Sequence, residues 1–207
     1  EMFWVALVMI VATLLLAAVV IALSRQSLRA YLGPLVFPNA GNMGLPVCLF
    51  AFGEQGLVLA IAVFMMLSLV HFTLGIALVS GRPVLQEMVR NPIIYSIAAA
   101  LIMIYGELSL PRWLQNTVSL LGDMTIPLML ITLGVSLANM RVAQLGKSAT
   151  FALLRLAIGV GVGWGVAAGF GLTGVARGVV ILQSAMPVAV FNYLFAVRYG
   201  REPQVVA

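Results

Sequence analysis

The stretch Phe37-Pro38-Asn39-Ala40-Gly41-Asn42-Met43-Gly44-Leu45-Pro46 cannot run as a plain helix, yet it lies between the apolar segments 28–36 and 47–52. Pro38 and Pro46 each remove a backbone donor and clash with the preceding turn. Gly41 and Gly44 weaken the helix further. Asn39 and Asn42 place side-chain amides in the same segment. Irregular backbone at membrane depth is tolerated only where it is buried in protein or lines a cavity. The break is therefore the first candidate for a ligand site.

Composition makes lipid the solvent. Hydrophobic residues are 63% of the 207, charged residues 8%, and the mean hydropathy is +1.14. Soluble domains carry about 25% charged residues. Barrel strands would appear as alternating segments of about 10 residues. This chain has continuous apolar runs of the length that helices need to cross a bilayer. The reading is an all-α membrane protein with seven spans, at roughly 3–23, 29–52, 57–79, 92–106, 117–138, 150–172 and 177–198. The segment 3–23 lacks a preceding basic residue and is longer than a signal-peptide core, so it reads as a span.

The net charge of +5 comes from dispersed basic residues without a cluster, so nucleic acid is not a predicted partner. One set of loops and span ends carries Arg25, Arg29, Arg82, Arg90, Arg141, Lys147, Arg155, Arg198 and Arg201, and the other set only Arg112 and Arg177. By the positive-inside rule the N-terminus faces outward and the C-terminal end inward. Arg155 reads as an inner-end residue that snorkels to the interface.

Span two contains Asn42-Met43-Gly44-Leu45-Pro46-Val47 and span seven Gln183-Ser184-Ala185-Met186-Pro187-Val188. Each has an amide residue four before a proline, a small residue two before it, and valine after it. The two spans run in opposite directions and are an odd number of spans apart, which makes the relation an inversion. Interrupted segments in inverted halves point to a transporter binding site. Residues 1–80 then read as the last three helices of one five-helix repeat, and 91–207 as the first four of a second, a fragment of a ten-helix whole.

Three segments carry a family resemblance. They are Pro38–Pro46; Asn91-Pro92-Ile93-Ile94 with Leu110-Pro111, Gly122-Asp123-Met124-Thr125-Ile126-Pro127 and Leu133-Gly134-Val135-Ser136-Leu137; and Gln183–Pro187 through Tyr199-Gly200. In this order they resemble the auxin efflux carrier family, which includes plant auxin exporters and bacterial malonate-permease-like proteins. The resemblance implies an inverted-repeat transporter whose two broken helices cross at mid-membrane, with a substrate carboxylate bound near the crossover and alternating access. It maps the asparagine after the first proline to Asn39, the second-repeat amide and proline to Gln183 and Pro187, and the aspartate opening a second-repeat helix to Asp123. The short connection 80–91 suggests the bacterial branch and an inner-membrane location. A homodimer is also implied.

A broken helix leaves unpaired N–H groups at one start and carbonyls at the other end. Two such starts, aided by the neutral amides of Asn39, Asn42 and Gln183, would hold an anion without a permanent charge. Pro38, Gly41, Gly44, Pro46 and Pro187 shape the breaks. The alternative for each amide is to satisfy freed backbone. Asp123 is a candidate for proton or sodium coupling, or else caps a helix start. His71 is a candidate proton switch, or else a packed hydrogen-bonding group. Cys48 reads as an inert packed thiol. Gly161, Gly165 and Gly169 read as a close-packing stripe. No metal-ligand spacing, phosphate loop or cofactor motif occurs, and no nucleophile–base pair or paired acids suggests an intramembrane enzyme. The leading function is a secondary transporter of small organic anions. A sodium-coupled symporter of the bile-acid type and a passive channel are the alternatives.

Overall fold

The computed structural model describes residues 1–81, 83, 85–86, 89, 91–139, 145–200 and 205, and these residues are helical apart from short connections. Arg82, Arg90, Arg141 and Arg201, four of the charges used to orient the chain, lie outside the described residues. The helices are α1 (Met2–Leu23), α2 (Leu28–Val36), α3 (Leu45–Val70), α4 (Ile76–Ser80), α5 (Pro92–Tyr105), α6 (Arg112–Asp123), α7 (Thr125–Asn139), α8 (Leu145–Gly169), α9 (Gly174–Ala185) and α10 (Val190–Tyr199). Wide π-helical turns at Ala40–Gly44 and His71–Gly75 lead into α3 and α4.

Four helical stretches are long and apolar enough to cross a membrane: Met2–Leu23, Ala40–Ser80, Arg112–Ala138 and Leu145–Gly169. Pro92–Tyr105 and Gly174–Ala185 are shorter apolar helices. The second of the long stretches is not straight. Gly53 has φ +65° and ψ −160°, a conformation open essentially to glycine alone. Past it the chain doubles back. A Cβ on Gly56 would lie 2.8 Å from the Cys48 carbonyl oxygen, although eight residues of straight helix span about 12 Å. Further from the turn, Leu45 and Ala60 share one apolar cluster, and a Cβ on Gly41 would meet the Phe64 ring at 2.8 Å. Each step back along one arm is matched by a step forward along the other, the register of an antiparallel helical hairpin.

The core joins α1, α3, α8 and α9. Val5, Ala6, Met9 and Ile10 of α1 pack with Val63 and Leu67 of α3, with Ile158, Val162 and Val166 of α8, and with Val180 of α9. A second cluster joins the C-terminal half of α1 to Tyr31, Leu35 and Phe37. Cys48 is buried in the third, as the sequence suggests for an inert thiol. Helices α5 and α6 bury no residue, and α7 touches the rest of the chain through Ile126 and Met129.

The glycine stripe packs on a different face from the one expected. Gly161, Gly165 and Gly169 have open space where a Cβ would point. Gly159 and Gly163 make the close approach instead: a Cβ on Gly163 would lie 3.1 Å from Ile181 Cα and 2.9 Å from Ser184 Cβ. Both sets repeat every four residues, so spacing alone does not choose between them.

Candidate functional site

The interruption in the first broken segment has two parts with separate causes. Pro38 has no N–H, and the residue before a proline is pushed from the helical region. Accordingly α2 stops at Val36, and Phe37 is extended at φ −96° and ψ 107°. The second part is wound, not loose. Pro46 cannot donate to the turn behind it, and the chain widens there so that Gly44 N–H reaches back to the Asn39 carbonyl (2.9 Å). Pro46 itself sits in the first turn of α3, where a missing N–H costs little.

In the second broken segment α9 ends at Ala185, and Met186 (ψ 146°) and Ala189 (ψ 137°) are extended. The two interruptions meet. Asn39 N–H donates to the Pro187 carbonyl at 2.7 Å, and Ala189 N–H donates to the Phe37 carbonyl at 3.2 Å. Pro38 thus faces Val188 in a short antiparallel bridge. Each break supplies the hydrogen bonds that the other lost. The facing residues are Phe37–Asn39 and Pro187–Ala189, so Pro46 does not stand opposite Pro187.

Asn192, which sequence reasoning passed over, secures this contact. Its Nδ2–H donates to the Phe37 carbonyl at 3.1 Å, and its Oδ1 lies 3.0 Å from His71 Nε2. Because the amide nitrogen is spent on a carbonyl, the oxygen must accept, and His71 Nε2 carries the proton. The imidazole stacks on Phe37 (4.2 Å between centroids, 11° between planes). In this structure His71 is buried, stacked and hydrogen-bonded beside the bridge. An amide in an apolar helix five residues past Pro187 was the available signal.

Two cavities border the bridge. The larger, about 610 Å³, is lined by Asn39, Pro187 and Ala189 together with Tyr31, Phe151 and Arg155. The smaller, about 260 Å³, is lined by Pro38, Asn39, Gly41, Asn42 and His71 among others. Asn39 borders both. Gln183 borders neither. It is fully buried, pressed on Gly44, and neither amide atom has a hydrogen-bond partner. Asp123 is exposed and ends α6, and Met124 separates it from Thr125, where α7 begins, so it does not open a helix. It lies roughly 16 Å along the Arg112–Ala138 stretch, near its middle. Among the described residues no three His, Cys, Asp or Glu side chains could share a metal ion.

Arg155 is the largest departure from expectation. It does not snorkel. The side chain is 1% exposed, and its Nη2 donates to the Ser184 carbonyl at 2.7 Å, near the C-terminal end of α9. Ser184 Oγ in turn donates to the Gly159 carbonyl at 2.7 Å. Helix α8 begins at Leu145, five residues earlier than the apolar pattern suggests, which moves Arg155 inward from the end of the span.

Residues 76–207 match the family model described as membrane transport protein, more than half of the chain. The chain belongs to this family, that of the auxin efflux carriers. An auxin efflux carrier component 2 of Oryza sativa is 28% identical over 129 residues, covering 59% of this chain and 20% of the relative. Component 1 of Arabidopsis thaliana is 28% identical over 129 residues, covering 59% and 21%. An uncharacterized transporter of Methanocaldococcus jannaschii is 26% identical over 182 residues, covering 82% and 58%. The chain therefore spans about a fifth of the plant carriers' length and 58% of the archaeal relative's. Family membership and the apolar helices make it an integral membrane protein of a transporter family.

Proposed function

We propose that the protein is a secondary transporter of small organic anions, carboxylates in particular, bound where the two broken helices cross. The observation that carries this reading is the bridge between Phe37–Asn39 and Pro187–Ala189, flanked by two cavities that share Asn39. The helical starts at Ala40 and Val190 both lie next to it, and such starts favour negative charge. Asn39 and Asn42 supply donors from the cavity walls. Gln183 joins them in a second conformation, once the turn at Gly44 moves off its amide. In the architecture we propose, the hairpin at Gly53 counts as two crossings, each broken pair as one, and the chain makes seven. The ten-helix inverted repeat, a homodimer and an inner-membrane location with the N-terminus outside belong to the same proposal.

Alternating access follows if the bridged pair moves as a block against its surroundings. The larger cavity reaches Tyr31, and Lys147 lies 4.9 Å over the Tyr31 ring. This is the end carrying Arg29, which the positive-inside rule assigns to the cytoplasm, and it supports reading this cavity as the inward-facing one. His71 and Asp123 are the candidates for proton or sodium coupling.

The test is uptake of radiolabelled malonate and indole-3-acetate by proteoliposomes holding the full-length protein, with and without sodium and pH gradients. Asn39→Ala, Asn42→Ala and Gln183→Ala are assayed beside it. Saturable uptake that Asn39→Ala abolishes in a folded protein supports the crossover site, and the gradient dependence names the coupling ion. Sodium-dependent uptake favours the symporter reading, and unsaturable flux a channel. Uptake indifferent to all three substitutions makes the breaks structural.

A further inference from the structure

The larger crossover cavity has a positive charge in its wall, and none of the acids among the described residues answers it. Arg155 is 1% exposed and makes one hydrogen bond, from Nη2 to the Ser184 carbonyl. Its Nε and Nη1 have no partner. The acids among the described residues are Glu1, Glu54, Glu107 and Asp123, and none pairs with it. A guanidinium stays charged in proteins. Leaving it buried and unpaired is costly, and residues of this kind inside membranes mark substrate pathways. The fold also makes room for it. Gly159, one turn further along α8, has no Cβ where one would lie 3.0 Å from Nη1.

Resting on the organic-anion reading above, we propose that Arg155 is the anchor for the anion in this cavity, so that the site is cationic and not neutral. Nη2 keeps a second N–H beside that of Nη1 or Nε, on whichever edge Ser184 leaves free, and such an edge matches a carboxylate with two parallel hydrogen bonds. Most of the remaining lining is apolar. Tyr31 and Phe151 stack at 4.2 Å with 8° between their planes, and Leu133, Leu137 and Leu156 also line the cavity. A single carboxylate on an apolar body fits this pairing of one charge with an aromatic surface.

The test measures thermal stabilisation of the full-length protein in phosphatidylcholine liposomes by indole-3-acetate, benzoate, malonate and succinate, and by the neutral amides of the first two. Wild type, Arg155→Lys and Arg155→Met are compared. The expected result is that wild type responds to the aromatic monocarboxylates at concentrations about 10- to 100-fold lower than to their amides, the range set by a charge-assisted hydrogen bond. Arg155→Met then responds equally weakly to acid and amide, while Arg155→Lys, which keeps the charge and can still reach Ser184, recovers part of the preference. If Arg155→Met does not fold, loss of the bidentate geometry in Arg155→Lys, read as a reduced preference for acid over amide, carries the test. A carboxylate preference unchanged in both variants overturns the anchor and leaves the transporter reading intact. A wild type that answers to none of the acids overturns both. Adding phosphatidylglycerol covers the other source of anions. If that lipid alone stabilises wild type but not Arg155→Met, the occupant is a headgroup and the anchor proposal fails.

Discussion

Breaking the His71–Asn192 pair tests whether the helix crossing is held by side chains as well as by main chain. Asn192→Leu leaves the buried His71 Nε2–H without its acceptor and removes one of the two donors to the Phe37 carbonyl. His71→Phe keeps a ring in the stack on Phe37 but strands the Asn192 oxygen. A lost neutral hydrogen bond costs about 0.5–1.5 kcal/mol, and an unsatisfied buried group about 1–3 kcal/mol. Inside membranes the net coupling is smaller, about 0.6 kcal/mol on average and about 1.7 at most. We expect each single substitution to destabilise by about 1–3 kcal/mol. The double variant restores apolar contact on both sides and falls short of the sum by about 1–1.7 kcal/mol. The assay is equilibrium unfolding in mixed micelles, run as a double-mutant cycle. Additivity within about 0.5 kcal/mol refutes the pairing, because independent sites behave in that way.

The hairpin predicts that Gly53→Ala destabilises by about 1–3 kcal/mol in the same unfolding assay, since φ +65° with ψ −160° suits glycine alone; no loss would mean that the turn relaxes freely. On α8, Gly163→Ala should cost about 1–3 kcal/mol by pushing on Ile181 and Ser184, whereas Gly161→Ala should be neutral or stabilising by up to about 1 kcal/mol. Equal effects at the two positions would contradict the packing face. Gln183→Met removes a buried amide that has no partner, so stability should rise by about 1–3 kcal/mol while anion uptake falls. A loss of stability would show that the amide is satisfied in the membrane.

Prolines and hydrophobic runs made much of this architecture legible, because both act locally. Pro38 and Pro187 located the two interruptions, although Pro34 lies inside α2 without ending it and Pro46 sits in the first turn of α3. What the sequence obscured was register. The likeness of 42–47 to 183–188 pointed to both broken segments, but it said nothing of which residues face each other, and main-chain hydrogen bonding sets Pro38 against Val188. Arg155 was misplaced for a related reason. The apolar pattern begins near 150 while the helix begins at Leu145, and a few residues of helix separate an interfacial arginine from a buried one. Asn192 needed the fold, because its two partners, His71 and the Phe37 carbonyl, come from distant parts of the chain.

The bridge also bears on how the protein is made. Residues 37–39 enter the membrane long before 187–189 leave the ribosome. At about 5–20 residues per second the interval is on the order of ten seconds or more. Throughout it, the Asn39 N–H and the Phe37 carbonyl have no main-chain partner from the second break. Bare polar backbone in hydrocarbon costs several kcal/mol per group. The early half of the chain therefore needs a wet or proteinaceous shelter until its counterpart arrives, and insertion of this molecule is a matter of timing as much as of hydrophobicity.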